Sequence, residues 1–388
     1  MLMTGCCIVP VCLSGYEGME LTKEQSGSGR ALSAALLAWY DSNRRSLPWR
    51  EDPSPFHIWI SEIMLQQTRV EAVRGYYTRF LERFPDVSAL AEAEEDVCLK
   101  YWEGLGYYSR ARNLQKAARV IQSQYGGEMP RTTAELRKLP GIGPYTSAAI
   151  ASIAFGERIP AVDGNLLRIF ARLALYGLNI RTPAAAAEAE QFFLRHMPED
   201  RPGDFNQALM DLGAGVCVPG GAPDCGICPL RTFCRGYAEN RQGTLPVMPE
   251  KKERPVEHRT ILRIRDDDRV LLRKRPAKGL LAGLYEFPNE EGWLSPEEAV
   301  ERARSYGCEP LHIRALPEAR HIFTHRIWHM RGYELRIGSF PEEKAANASG
   351  PSLRKGCFAA SIRDLTEKYA IPSAYAAFLP ELQCALLH

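Results

Sequence analysis

Two carboxylic acids, Glu62 and Asp163, occupy positions that could support acid–base chemistry. Glu62 lies in the stretch 61–69 among apolar neighbours, so part of its surroundings should exclude water. Desolvation disfavours the charged form of a carboxyl group, which then keeps its proton to higher pH and can act as a general acid near neutrality. The alternative is a helical glutamate that reaches past its neighbours into water, and this stretch alone leaves both interpretations open.

Asp163 follows two apolar residues and precedes Gly164 and the start of a predicted helix. An aspartate at such a position caps the helix N-terminus and stabilises it by about 1 kcal/mol, which is enough to explain the residue. The functional alternative is a second carboxylate that faces Glu62, with Asn165 beside it.

Four cysteines form a tight cluster in which seven, two and five residues separate Cys217, Cys225, Cys228 and Cys234. The chain has 11 cysteines, and an odd total with one tight cluster favours metal binding in a reducing compartment over a disulfide framework. Four thiolates at these spacings suit either a structural zinc ion or a four-iron cluster.

A Pro-Gly-Ile-Gly turn at 140–143 separates a helix that ends near Leu139 from a helix that begins at Pro144. Gly141 and Gly143 let the backbone come close to a ligand, and the amides at the new helix N-terminus favour a phosphate group. This pattern predicts a helix-hairpin-helix that holds a DNA backbone without reading its sequence. An ordinary tight turn between two helices is the alternative.

Length and composition predict a protein with two folded domains. The chain has 388 residues, an ordinary apolar content and a formal net charge of +2. With so balanced a charge, nucleic acid could be bound only through a local basic surface. No apolar run approaches the roughly 20 residues that span a bilayer, so we expect no membrane partner.

The sequence pattern divides the chain into a flexible leader at 1–30, a helical domain at 31–240, a linker at 241–259 and an α+β domain at 260–388. Met1 and Met19 are both candidate starts of the natural protein. Helices are predicted at 31–40, around Glu62, and at 70–84, 87–100 and 111–125. In the last domain, strands are predicted at 260–264, 270–273, 284–287, 327–333 and 335–337, and a helix at 296–306.

Several longer motifs follow one another along the chain. They are Leu-Pro-Trp-Arg at 47–50, Ser-Glu-Ile-Met-Leu-Gln-Gln-Thr at 61–68, Trp-Glu-Gly-Leu-Gly-Tyr-Tyr-Ser-Arg at 102–110, the hairpin at 139–146, Val-Asp-Gly-Asn at 162–165, the cysteine loop and Arg-His-Ile-Phe-Thr-His at 320–325. In these motifs the chain from residue 31 onward resembles the adenine DNA glycosylases of the MutY type, within the endonuclease III superfamily. The resemblance implies an all-α helix-hairpin-helix glycosylase domain with an iron–sulfur loop, followed by an α+β Nudix-like domain.

The resemblance also implies a reaction, the excision of adenine mispaired with 8-oxoguanine or guanine in double-stranded DNA. Glu62 would protonate the adenine ring after the base is flipped out of the duplex. Asp163 would stabilise the oxocarbenium-like sugar, either electrostatically or as a transient nucleophile, with Tyr145 and Asn165 holding it and its surroundings. Endonuclease III-like lyases carry a Schiff-base lysine where this chain has Tyr145, so we expect a monofunctional glycosylase with little strand cleavage.

DNA contacts are implied by the same resemblance at Arg50, Gln66, Gln67, Leu105, Tyr107, Gly141 and Gly143. Four of these would fill or probe the disturbed helix beside the 8-oxoguanine, namely Gln66, Gln67, Leu105 and Tyr107. Core packing is the alternative for Leu105 and Tyr107. Phosphate contacts are expected from Arg110 and Arg112, and binding should weaken as salt rises.

The C-terminal domain resembles the Nudix-like domain that recognises 8-oxoguanine in this family. Phe323, Thr324 and His325 match its Phe-Ser-His loop, and Thr324 keeps the hydroxyl of the serine while adding a methyl group. The stretch 299–307 lacks the paired carboxylates with which a Nudix hydrolase holds magnesium. Binding without pyrophosphatase chemistry is therefore expected.

The cysteine loop departs from the family pattern in its first gap, which has seven residues where six are usual. Gly220 and Gly221 lie in this gap and can absorb the extra residue as a wider loop. The resemblance still implies one structural 4Fe-4S cluster held by the four clustered cysteines, with zinc as the other outcome. We expect a monomer in the cytoplasm, associated with the nucleoid through DNA.

Two other functions account for parts of the sequence. A bifunctional glycosylase/lyase of the endonuclease III type is disfavoured by Tyr145 and by the presence of residues 260–388. A non-catalytic DNA-binding iron–sulfur sensor would need the hairpin and the cluster, but it would not need Glu62 and Asp163 together.

Overall fold

The computed structural model describes residues 23–220, 222–250, 253–341, 352–379 and 382. The chain forms two compact units. The first unit contains the described residues up to Arg44 together with Arg158–Val247, and the second contains Arg45–Glu157 together with the described residues from Met248 onward. The division runs through the predicted helical domain at 31–240, so part of that domain belongs to the same unit as the C-terminal strands.

In the described part of residues 1–240, helices joined by loops and turns make up the fold. The helices are α1 (Lys23–Asn43), α2 (Pro48–Glu51), α3 (Pro55–Leu65), α4 (Val70–Arg83), α5 (Val87–Glu92), α6 (Glu95–Tyr101), α7 (Ser109–Tyr125), α8 (Thr133–Leu136), α9 (Pro144–Phe155), α10 (Gly164–Leu173), α11 (Pro183–His196), α12 (Pro202–Gly215) and α13 (Arg235–Ala238). Among the described residues, no helix combines the length and apolar character that crossing a bilayer requires.

Two predicted helix boundaries are wrong. α1 begins at Lys23, so residues 23–30 are helical and not a flexible leader, because extending an existing helix is far easier than starting one. Residues 1–22, with both candidate starts, lie outside the described residues. The helix predicted at 87–100 is two helices, because Ala93 and Glu94 have extended backbone between α5 and α6.

The first unit packs α1, α10, α11 and α12 around one apolar core. Tyr40, Phe193 and Phe205 are among its buried side chains. Three of the four clustered cysteines pack against the same core. The cysteine loop is therefore anchored on α10 and α12, and does not project as a separate element.

In the second unit, α3 lies against α9 and is buried along most of its length. Its N-terminus is capped by Ser54, whose hydroxyl accepts a hydrogen bond from the backbone N–H of His57 at 3.3 Å. The middle of α9, residues 146–152, is buried and consists mostly of alanine and serine. These small side chains let the two helices approach closely, which places polar residues of α3 against the start of α9.

The C-terminal part of the second unit is a mixed β-sheet. Its strands are β1 (Val256–Arg265), β2 (Arg269–Lys274), β3 (Tyr285–Glu286), β4 (Asn289–Glu291), β5 (Pro310–Ile322), β6 (Ile327–Ile337) and β7 (Cys357–Ser361). The order is β3-β2-β1-β6-β5, with β4 paired to β1 and β7 to β2. β1 and β6 run parallel, and the other pairs are antiparallel.

Helices α14 (Pro296–Ser305) and α15 (Ile362–Glu367) cover opposite faces of this sheet. Buried residues of α14 share a core with Leu262 of β1, whereas those of α15 share a core with Ile261. Consecutive residues of a strand point to opposite faces, so the two helices lie on different sides. The helix predicted at 296–306 is confirmed as α14.

Three strands, one predicted break within a strand and one boundary differ from the sequence prediction. β5 is an edge strand with mostly exposed side chains, so it lacks the apolar alternation by which strands are recognised. β4 and β7 were also not predicted, and the strands predicted at 327–333 and 335–337 are one continuous strand, β6. β1 begins at Val256, so the end of the predicted linker at 241–259 is strand, and residues 251–252 of that linker lie outside the described residues.

Candidate active site

The carboxyl group of Glu62 lies at the contact between α3 and α9. Glu62 is buried, with 6% of its surface exposed. Its Oε2 accepts a hydrogen bond of 2.8 Å from the hydroxyl of Tyr145, in the first turn of α9. The residue is therefore not a surface glutamate reaching into water, and the hairpin at 140–143 brings Tyr145 to it from 83 residues away.

A second polar contact joins the same two helices one turn further along α3. Gln66 Nε2 donates to the hydroxyl of Thr146 at 3.1 Å. Glu62 and Gln66 are four residues apart, so they share one face of the helix, as the sequence predicts. That face is held by two consecutive residues of α9, Tyr145 and Thr146.

Arg110 is hydrogen-bonded to the C-terminal end of α3. Its Nη1 donates to the carbonyl oxygens of Ile63, Met64 and Gln66 at 2.7–2.8 Å, which are among the carbonyls that a helix C-terminus leaves without partners. Its Nη2 donates to Thr68 Oγ1 and to the carbonyls of residues 105 and 106 at 3.1–3.2 Å. Burial lowers the pKa of Arg110 to about 10, which leaves it charged at neutral pH.

The predicted phosphate contact of Arg110 is therefore wrong for this structure, whereas that of Arg112 stays a prediction. Arg110 is 8% exposed and its terminal nitrogens are occupied by protein oxygens. Arg112 donates to Glu95 Oε1 at 2.9 Å and to the carbonyl oxygen of Ala282. Both arginines tie segments of the protein together, and Arg112 is also partly exposed at the wall of a cleft.

The loop between α6 and α7 contains Leu105 and Tyr107, which are both predicted to fill or probe the disturbed DNA helix. Only one of the two is exposed. Leu105 is 6% exposed, whereas Tyr107 is 46% exposed. Tyr107 has φ +48° and Gln67 has φ +56°, a backbone region that residues other than glycine rarely adopt. Such strain is found most often at functional positions, and here it marks two of the predicted DNA-contact residues.

A cleft in the second unit brings five predicted residues together: Gln67, Tyr107, Phe323, Thr324 and His325. The hydroxyls of Tyr107 and Thr324 are 2.7 Å apart and hydrogen-bonded, although 217 residues separate them. The ring of Phe323 packs against His321 and Trp328 with centroid distances of 4.6 and 4.9 Å. Thr324 and His325 are exposed. The packed ring of Phe323 therefore supports a loop whose two polar side chains line the cleft.

The predicted hairpin has a backbone that requires glycine at Gly141. Gly141 has φ +79°, and a Cβ there would lie 2.6 Å from Cβ of Asn113 in α7. Gly143 occupies the N-cap of α9, with Pro144 in its first turn. Gly141 and Pro144 are exposed, so the amides of the hairpin are accessible to a ligand.

Arg50 is half-buried and donates through Nη1 to the carbonyl of Arg45 at 3.1 Å.

Asp163 caps α10 in the first unit. Its Oδ1 accepts hydrogen bonds from the backbone N–H groups of Asn165 and Leu166, both at 2.8 Å, and its Oδ2 accepts from Asn165 Nδ2 at 2.8 Å. The capping interpretation is thus confirmed. Burial raises the pKa of the Asp163 carboxyl group, although these hydrogen bonds oppose the shift. Capping does not exclude a role in chemistry, because Oδ2 is not bonded to the backbone of α10.

Two buried arginines of α10 connect Asn165 to the cysteine loop. Arg168 donates to Asn165 Oδ1 at 3.0 Å and to the carbonyl of Cys217 at 2.8 Å. Arg172 donates to Cys217 Sγ at 3.1 Å and to the carbonyl of Val218 at 3.0 Å. Neither arginine was singled out from the sequence. Their spacing of four residues on a helix that is otherwise apolar on that face is the signal that could have found them.

The four clustered cysteines line one cavity together with Arg172 and Leu230. All four are free thiols. Burial, and after it the neighbouring thiols, raise the pKa of Cys228 to about 11. Within the described residues, no three His, Cys, Asp or Glu side chains stand in a metal-coordinating arrangement. The donor set fits a group bound by four thiolates, because the thiols share one cavity and Arg172 places a positive charge beside Cys217.

The predicted catalytic residues are thus distributed over both units. Glu62 and Tyr145 form a hydrogen-bonded pair in the second unit, and Asp163 and Asn165 form another in the first.

Comparison with known proteins gives two family matches along the chain. Residues 60–193 match the HhH-GPD superfamily base excision DNA repair proteins, and residues 259–381 match the NUDIX domain. A solved structure of a thermostable thymine-DNA glycosylase is 30% identical with a TM-score of 0.50, covering 55% of this chain and 99% of that chain. The helical part of the fold is therefore shared with DNA glycosylases.

Curated relatives named adenine DNA glycosylase match most of the chain. The one from Mus musculus is 34% identical over 375 residues, covering 81% of this chain and 72% of the relative. The one from Homo sapiens is 35% identical over 356 residues, covering 76% of this chain and 65% of the relative. For Arabidopsis thaliana the identity is 36% over 345 residues, covering 75% of this chain and 54% of the relative.

Proposed function

The chain belongs to the adenine DNA glycosylases, base excision repair enzymes that hydrolyse the bond between adenine and its sugar, and we propose that it acts on adenine paired with 8-oxoguanine or with guanine. The observation that carries the choice of mispair is the cleft where Tyr107 and Thr324 meet. The residues that line this cleft come from both regions that match a protein family. One cleft is therefore lined by the helical glycosylase part and by the Nudix-like part.

In this proposal Glu62 is the general acid. Its burial keeps water away from the carboxyl group, which in its neutral form can give a proton to the adenine ring. Protonation converts adenine from a poor leaving group into a good one. Tyr145 then stabilises the carboxylate that remains, by the hydrogen bond of 2.8 Å.

Asp163 acts in its ionised form on the sugar. Loss of adenine leaves positive charge on the sugar ring, and a fixed carboxylate stabilises that charge electrostatically. Two backbone N–H groups and the side chain of Asn165 hold Asp163 in one orientation. The two carboxyl groups must be in different protonation states at once, so the three hydrogen bonds that Asp163 accepts have to keep it charged against the effect of its burial.

The absence of a lysine from α9 supports a monofunctional reaction. A lyase forms a Schiff base between a lysine amine and the sugar before it cuts the strand. Tyr145 occupies the hairpin position next to Glu62, and residues 144–155 contain no lysine. We therefore propose that the product is an intact strand with an abasic site.

DNA would be held by backbone contacts and opened by side chains of the cleft. The exposed turn at Gly141 and the N-terminus of α9 suit a phosphate, since a helix N-terminus attracts anions and the missing N–H of Pro144 leaves the donor role to its neighbours. Tyr107 and Gln67 are exposed and can enter the duplex where adenine has been flipped out. Leu105 is buried in the free protein, so a wedge role for it requires the loop to move on binding.

The hydroxyl of Thr324 suits the chemical difference between 8-oxoguanine and guanine. Guanine has an acceptor at N7, whereas 8-oxoguanine has an N–H donor there and an oxygen on C8. A hydroxyl can accept from that N–H, and Thr324 is exposed with its Oγ1 held by Tyr107. Phe323 and His325 complete the loop that we propose contacts the 8-oxoguanine.

We propose that Cys217, Cys225, Cys228 and Cys234 hold one 4Fe-4S cluster, the cofactor that endonuclease III-like proteins generally carry. When bound, the cluster would supply a rigid cross-link within the cysteine loop, which Arg168 and Arg172 tie to α10. Arg172 would neutralise part of the negative charge of the four thiolates. Elemental analysis of the purified protein tests this: four irons and four acid-labile sulfides per chain are expected, and one zinc would contradict it.

The choice of mispair is tested by single-turnover rates of adenine release opposite 8-oxoguanine, guanine and thymine. The proposal predicts the fastest release opposite 8-oxoguanine, slower release opposite guanine and none opposite thymine. In Thr324→Ala, loss of one hydrogen bond should lower the preference for 8-oxoguanine by about tenfold at most. Equal rates opposite 8-oxoguanine and guanine in the wild-type enzyme would contradict the proposal.

A further inference from the structure

Helix α6 and the turn after it carry three charged residues on one face, Asp96, Lys100 and Glu103. Spacings of four and three residues place them one above another on a helix. All three contact the C-terminal part of the second unit. α6 continues directly into the loop that carries Tyr107, so its position fixes where that loop begins.

Asp96 binds the sheet at two neighbouring strands. Its carboxylate oxygens lie 2.9 and 3.0 Å from Lys274 Nζ, at the end of β2. Its Oδ2 also accepts from the hydroxyl of Tyr285, in β3, at 2.7 Å. One carboxylate thus joins α6 to two strands of the sheet.

Lys100 binds the C-terminal end of α15. Its Nζ donates to the carbonyls of Leu365 and Tyr369 at 3.0 and 3.1 Å. Carbonyls at a helix C-terminus carry partial negative charge and have no partner within the helix, so an ammonium group is well matched to them. The Lys100 side chain is only 14% exposed, which limits screening by water.

Glu103 completes the contact next to the cleft. It lies 2.5 Å from Lys100 Nζ through Oε2, and its Oε1 accepts from the backbone N–H of Ile371 at 2.6 Å. Ile371 immediately precedes Pro372, which lines the cleft, and Glu103 lies four residues before Tyr107, which also lines it. The contact therefore joins two segments that form walls of the same cleft.

We propose that Asp96, Lys100 and Glu103 form a docking seam that sets the spacing between Tyr107 and the Thr324 loop, and that this spacing determines discrimination of 8-oxoguanine from guanine. The three are positioning residues, because they act through the cleft walls and not on the base. This inference rests on the proposed function. It adds three residues to the specificity apparatus, of which Asp96 and Lys100 lie outside the sequence motifs and Glu103 lies within the motif at 102–110.

The first test removes the seam and measures both mispairs. In the variant Asp96→Ala with Lys100→Met, the ratio of single-turnover rates opposite 8-oxoguanine and guanine should fall roughly tenfold, as expected for lost hydrogen bonds to charged groups. The rate opposite guanine should stay close to that of the wild type. The matched control is Arg363→Met, which breaks an exposed ion pair with Glu367 on α15, and should leave both rates unchanged. An unchanged ratio in the seam variant, or equal losses on both substrates, would overturn the proposal.

The second test exchanges the charges of one pair. Asp96→Lys and Lys274→Asp should each lower the preference, and the two together should restore much of it. Restoration separates a positioning role from simple damage to the fold. Failure of the double variant to recover any preference would count against the seam.

A third measurement keeps the seam distinguishable from the proposed function. Hydrogen exchange at the amide of Ile371 should be faster in Glu103→Ala than in the wild type, whatever the enzyme acts on. Unchanged exchange would overturn the seam. Faster exchange in an enzyme whose wild type does not distinguish 8-oxoguanine from guanine would contradict the proposed function and the specificity role, and would leave the contact itself established.

Discussion

The hydroxyl of Tyr145 donates a hydrogen bond to Oε2 of Glu62 at 2.8 Å. The two residues belong to α9 and α3, which the small side chains of α9 allow to pack closely. A donor to a carboxylate stabilises its charged form. In the proposed reaction, Tyr145 therefore favours the state of Glu62 that follows proton transfer, and burial favours the state that precedes it.

Tyr145→Phe removes this hydrogen bond with little change of shape. Hydrogen bonds to charged groups contribute about 1.5–3 kcal/mol, so single-turnover adenine release should slow by roughly 10- to 100-fold. DNA affinity, measured by equilibrium binding, should stay the same. Tyr125→Phe at the end of α7 is the matched control. A wild-type rate in Tyr145→Phe would show that the contact plays no part in the reaction.

Glu62→Gln keeps the size and polarity of the side chain but removes the transferable proton. General acid catalysis contributes typically about 10²- to 10⁴-fold, so adenine release should fall by at least that much. Binding to a mispaired duplex should be largely retained. Substantial catalysis in this variant would remove Glu62 from the acid role.

The raised pKa of Asp163 predicts the acidic limb of the pH–rate profile. Only the ionised carboxylate stabilises a positively charged sugar, so adenine release should decline at a higher pH than an ordinary aspartate with pKa about 3.9 would give. In Asp163→Glu, the pH at which adenine release declines should shift if the carboxyl group of residue 163 causes the decline. A limb that stays in place would assign it to another group.

The same raised pKa makes a prediction for stability. A carboxyl group whose folded pKa is raised stabilises the fold most at low pH, and this contribution is lost as pH rises through the folded pKa. The melting temperature of Asp163→Asn relative to the wild type should therefore be higher at pH 8 than at pH 3, below the ordinary aspartate pKa of about 3.9. The opposite order would show that the hydrogen bonds to Asp163 outweigh its burial.

Arg110→Met should destabilise the protein, because it leaves several buried carbonyl oxygens without their donor. A loss of about 3 kcal/mol or more in the free energy of unfolding is expected from urea denaturation. The dependence of DNA affinity on salt should not change. If stability is retained and the salt slope falls by about one, Arg110 contacts a phosphate after all.

The fold class could be predicted because its signals are local and ordered along the chain. The hairpin, the cysteine spacing and the motif around Glu62 each occupy a short stretch, and the matches to the HhH-GPD and NUDIX families confirm the predicted order of a helical and an α+β domain. The roles of the individual site residues remain predictions, although the structure brings Glu62 to Tyr145 and Asp163 to Asn165.

The contacts that could not be predicted from the sequence are those in which an arginine donates to backbone carbonyl oxygens far away along the chain. Arg110 was assigned to phosphate because a sequence shows the charge of a side chain but not the carbonyls that surround it. Arg168 and Arg172 were missed for the same reason. β5 was missed because an edge strand with exposed side chains has no apolar pattern.

The central claim is tested most directly with a duplex containing one adenine opposite 8-oxoguanine. The purified protein is incubated with it, and strand breaks are measured with and without later alkali treatment. Breaks at the adenine only after alkali are the predicted result, since a glycosylase without a Schiff-base lysine leaves an intact strand with an abasic site. Breaks without alkali, or no breaks at all in a duplex that is bound, would contradict the claim.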